Sequence, residues 1–73
     1  MNTNIVVRVK SRTTKKSIEY FGNDRYLIKT ESDDHNIINK EVVEMLSKYM
    51  GLAPNRIILK AGFSNQDKLL QII

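Results

Sequence analysis

A chain of 73 residues fits one domain, and at this length folding withdraws only about 60% of the unfolded surface from water, so the core is thin. Hydrophobic residues at 41% and charged residues at 27% exclude a disordered chain, and the absence of cysteine excludes a disulfide framework or a thiolate metal site. The net charge is +4, and five of the twelve basic residues fall between Arg8 and Lys16 with no acid among them, an asymmetry that points to an anionic partner.

The opening "MNTNIVVRVK" lacks the apolar run of a signal peptide, and no window approaches the roughly 20 apolar residues of a membrane span, so a cytoplasmic chain is expected. Ile5, Val7 and Val9 alternate with Val6, Arg8 and Lys10, the two-residue repeat of a half-buried strand, predicted over Ile5 to Lys10. "SRTTKKS" reads as a polar loop. "SIEYF" and "RYLIKTE" are two further strands around "GND", whose residues suit a tight reversal.

From Asp34 to Met50 the period changes. At 100° per residue Ile38, Val42, Val43, Met45, Leu46, Tyr49 and Met50 share one arc, while Lys40, Glu41, Glu44, Ser47 and Lys48 fill the other. An amphipathic helix is predicted, with Asp33 and Asp34 supplying cap oxygens and Gly51 ending it. Val42, Met45, Leu46 and Tyr49 should meet strands carrying Val7, Leu27 or Ile28, and Ile58. Pro54 suits the first position of a helical turn, and "RIILKAG" and "KLLQII" form a closing hairpin around "FSNQ". The expected order is β-β-β-α-β-β in one domain, residues 1–73. It makes a two-layer α+β fold with one main helix on a mixed sheet of four or five strands.

Two short segments carry a resemblance. "SDDHNIIN" lies where the YggU-like family has Pro-Pro-x-x-Gly-Lys-Ala-Asn and keeps the final residue as Asn39. "GFSNQDK" lies over Gly-x-Thr-Ser-Arg-x-Lys and keeps Gly62 and Lys68, with a hydroxyl at Ser64. The chain thus resembles a divergent member of that family of small bacterial and archaeal α+β proteins, which implies a fold without an established activity. Asn39 falls inside the apolar arc, where its amide needs partners from the loop before the helix or from the closing hairpin. Gly62 opens the hairpin turn. Lys68 stands beside Asp67, and Gln66 is neutral where the family has arginine, so a structural hairpin is expected here rather than an anion site, with Lys68 contributing little to stability.

For catalysis, nucleophilic chemistry needs a base beside its nucleophile, and His35 is the one histidine. In "SDDHN" its neighbours suit helix capping, and their spacing matches no metal-ligand pattern. No glycine-rich phosphate loop exists among three glycines. The residues therefore predict a non-catalytic, monomeric binding module without cofactor or metal. Its expected partner is RNA or another polyanion, held by Arg8, Lys10, Arg12, Lys15 and Lys16. Tyr20, Phe21, Tyr26 and Phe63 are candidate stacking faces. The alternative is a protein-interaction module that uses the closing hairpin, with Phe63 at its tip, or an edge strand.

Overall fold

A computed structural model describes residues 2–73. The elements are β1 (Thr3–Lys10), β2 (Ser17–Tyr20), β3 (Arg25–Lys29), α1 (His35–Met50), a 3₁₀ turn (Pro54–Arg56), β4 (Ile57–Ala61) and β5 (Asp67–Ile72). They form a two-layer α+β fold, one helix on a five-stranded mixed sheet of order β2-β3-β1-β5-β4. β1 and β3 run parallel, and the other neighbours are antiparallel.

Side-chain alternation separates the two faces of the sheet. Ile5, Val7 and Val9 of β1, Tyr26 and Ile28 of β3, Leu70 of β5 and Ile57 of β4 point inward. They enclose Ile38, Val42 and Leu46 of α1, a stripe at four-residue spacing. The opposite face of the sheet has no helix over it. The helix begins where Asp34 accepts from the Asn36 N–H at 2.9 Å and ends where Gly51 takes φ 69°.

Several expected contacts differ. Tyr49 is 52% exposed, because the buried stripe is narrower than the apolar arc, and its ring instead meets Tyr26 edge-on at 5.8 Å. Met45 packs at the core margin. Ser47, expected on the solvent side, is buried with its hydroxyl donating to the Glu44 carbonyl. In β4 Ile57 takes the inward position and Ile58 the outward one, whereas in β3 Ile28, one of the two expected alternatives, is inward and Leu27 outward. Asp33 does not cap the helix, because its carboxylate is held by Arg12.

Candidate anion-binding site

The loop between β1 and β2 lies beside the chain that leaves β3. The Thr13 N–H donates to the Thr30 carbonyl at 2.9 Å, and the Thr30 N–H donates to the Lys10 carbonyl at 2.8 Å. Arg12 takes the left-handed region at φ 56°, which turns its guanidinium onto Asp33 with contacts of 2.9 and 2.6 Å. The adjacent guanidinium holds the Asp33 carboxyl below the ordinary value.

This stitched loop and the ends of β1 and β3 enclose a pocket of about 450 Å³, lined by Lys10, Thr13, Thr14, Lys15, Lys16, Ser17 and Lys29. Four lysines and three hydroxyl-bearing residues line it, and no acidic residue does. Lys10 and Lys29 are direct partners in the parallel β1–β3 pair, a placement in which like charges repel. Among the described residues Lys10, Lys15 and Lys29 make no ion pair, whereas Lys16 meets Glu41 at 3.0 Å, which raises its pKa.

Of the five cations singled out in the sequence, Lys10, Lys15 and Lys16 therefore come together. Arg12 turns away to Asp33, and Arg8 lies on the open sheet face, 3.4 Å from Asp67. Lys29 completes the pocket and was missed, because nothing local in the sequence says that β1 pairs with β3. Of the aromatic candidates, Tyr26 is buried and Tyr20 meets it in a tilted contact with ring centroids 4.9 Å apart. Phe21 and Phe63 are exposed.

Asn39, Gly62 and Lys68 meet elsewhere, at the closing hairpin loop. Lys68 shares the inward parity of Leu70 and is 1% exposed. Its ammonium donates to the Gly62 carbonyl at 2.7 Å and lies 3.4 Å from that of Phe63. The His35 Nδ1 is 3.3 Å away and accepts, since an ammonium can only donate. Burial pushes the Lys68 pKa down. Asn39 Nδ2 donates to the Phe63 carbonyl at 3.0 Å, and its Oδ1 is buried without a partner. The cluster ties the helix start to the hairpin loop, and the buried ammonium is taken up by main-chain carbonyls.

No protein-family model matches the chain. No helix is long and apolar enough to cross a membrane among the described residues.

Proposed function

We propose that the chain is a non-catalytic, monomeric binding module of the cytoplasm whose lysine pocket holds phosphate groups of RNA or another polyanion. The supporting observation is the pocket itself, four lysines and three hydroxyls around about 450 Å³ with no carboxylate in the lining. Three of those lysines have no ion partner among the described residues, so an incoming phosphate replaces counterions rather than a protein carboxylate. Its arrival also relieves the repulsion between Lys10 and Lys29. We also read the chain as a divergent YggU-like protein, on Asn39, Gly62 and Lys68.

The test is an anisotropy titration with labelled mixed RNA at several salt concentrations. Joint replacement of Lys10, Lys15 and Lys29 by alanine is expected to abolish salt-dependent binding with the melting temperature retained, while Arg12→Ala has a smaller effect because Asp33 already occupies that guanidinium. Unaltered affinity in the triple variant, or no salt dependence in the parent, refutes the reading. A second reading, protein interaction through the closing hairpin, is supported by Phe63, 56% exposed in its loop. It calls for a partner whose binding is insensitive to salt and lost in Phe63→Ala.

A further inference from the structure

The sheet face opposite the helix carries a second depression beside the lysine pocket. Val6 of β1 and Leu27 of β3 point outward and, with Phe21, line a groove of about 730 Å³, whose lining also includes Arg8, Lys10, Arg25, Tyr26 and Asp67. Val6 is 45% and Phe21 62% exposed. Lys10 lines both depressions, so the two adjoin at the end of β1. From Val6 to Lys10 the strand rises about 13 Å, at roughly 3.3 Å per residue.

Resting on the polyanion reading above, we propose that the two depressions together bind single-stranded nucleic acid, with an unpaired base against Phe21 in the groove and the adjoining phosphates at Lys10 and Lys29. Charge complementarity favours this occupant. Outward-facing Arg8, Lys10, Arg25 and Lys29 stand against Glu19 and Asp67, and Asp67 is already engaged by Arg8. The groove pairs an exposed ring and two aliphatic side chains with guanidinium groups, and a base offers the matching parts: a flat apolar face, polar edges and a linked anion. A purely apolar peptide segment would cover Arg25, which has no ion partner among the described residues, without giving its guanidinium an acceptor. A duplex keeps its base faces inside the stack and cannot present one to Phe21.

The chain has no tryptophan, so Phe21→Trp introduces a single reporter at the groove. Its emission is expected to be quenched by a single-stranded oligonucleotide and left unchanged by inorganic polyphosphate or a duplex of the same sequence. Phe21→Leu, which keeps an apolar side chain without a ring, should weaken oligonucleotide binding about 5-fold or more and leave polyphosphate binding and the salt slope intact. Joint replacement of Lys10 and Lys29 by alanine should weaken both ligands and reduce the oligonucleotide salt slope by about 0.7 for each phosphate that is no longer neutralised. If both ligands bind with salt-dependent affinity but Phe21→Leu is neutral and the Phe21→Trp emission silent, the base-binding inference fails and the lysine pocket stands. Equal affinity for duplex and single strand overturns the inference too. If neither ligand binds, the polyanion reading falls and takes this one with it.

Discussion

Lys68 offers a quantitative test of the hairpin cluster, because its stem and its ammonium act in opposite directions. Lys68→Ala removes three buried methylenes, worth about 0.8 kcal/mol each, so about 2.4 kcal/mol is lost before any penalty for the cavity left beside Val7, its partner across β1. Lys68→Met keeps most of the stem and discards the charge. Both carbonyls that the ammonium contacts retain a donor without it: the Asn65 N–H reaches Gly62 at 3.1 Å, and Asn39 Nδ2 reaches Phe63 at 3.0 Å. The methionine variant is therefore expected within about 1 kcal/mol of the parent, since no carbonyl is orphaned and a desolvated charge is removed. At a urea slope of about 1 kcal/mol per molar, alanine should lower the midpoint by roughly 2 M and methionine by much less.

The pH dependence separates the two effects further. Burial lowers the Lys68 pKa from 10.5, so below the lowered value both folded and unfolded chains are protonated and the burial penalty is fully in force. Between that value and 10.5 the unfolded chain holds a proton that the folded chain lacks, so stability from this group rises with pH and levels off above 10.5. Burial also raises the Tyr26 pKa above 10.0, which acts in the opposite sense on the same alkaline limb, so the quantity to read is the difference between parent and Lys68→Met. A Lys68→Ala variant as stable as the parent, a methionine variant as damaged as alanine, or a parent-minus-methionine difference flat with pH would refute the reasoning.

Two further expectations use the same denaturation measurement. At Gly62, φ is +82° and an added Cβ would overlap the Asp67 carbonyl oxygen and lie 2.9 Å from the Lys68 Cα, whereas at Gly22, φ +81°, nothing lies within 4 Å. Gly22→Ala should thus cost about 1 to 2 kcal/mol, the ordinary penalty of a left-handed alanine, and Gly62→Ala distinctly more; equal losses would show that the hairpin can widen freely. Lys29→Thr should stabilise the fold by about 0.2 to 1 kcal/mol at low salt by removing the repulsion with Lys10, and the gain should fade as salt is added. A gain that persists in high salt would point to strand propensity instead.

The layers of the fold were legible where a period was clean. Ile5, Val7 and Val9 announced their own face, and Ile38, Val42 and Leu46 announced the helix stripe. Pairs of adjacent apolar residues defeated the same reasoning. Ile57 and Ile58 look alike to a two-residue repeat, as do Leu27 and Ile28, and only the packing decides which member turns inward. Lys68 carried a usable signal, since it shares parity with Leu70, but "KLLQII" also lets Leu69 and Gln71 claim a common face, and a lysine argues against burial. The lysine pocket was half visible: Lys10, Lys15 and Lys16 are neighbours along the chain, while Lys29 joins them only through a parallel pairing that no local pattern encodes. Arg8 and Arg12 show the reverse failure, a local run of cations whose partners, Asp67 and Asp33, come from distant segments.

The pairing of β1 with β5, Thr3 opposite Ile72, has a consequence for how the chain reaches this state. The β2–β3 and β4–β5 hairpins close short loops, but β1 must find one partner across a separation of nearly the whole chain, so the entropy of loop closure is concentrated in that single docking event. Both hairpins are thus candidates to form early, with the transition state crossed as β1 slides between them. Joining the ends through a short linker and opening the chain between α1 and the 3₁₀ turn would turn that remote pairing into a local one and leave both hairpins intact, and the rearranged protein should fold faster while keeping the same sheet.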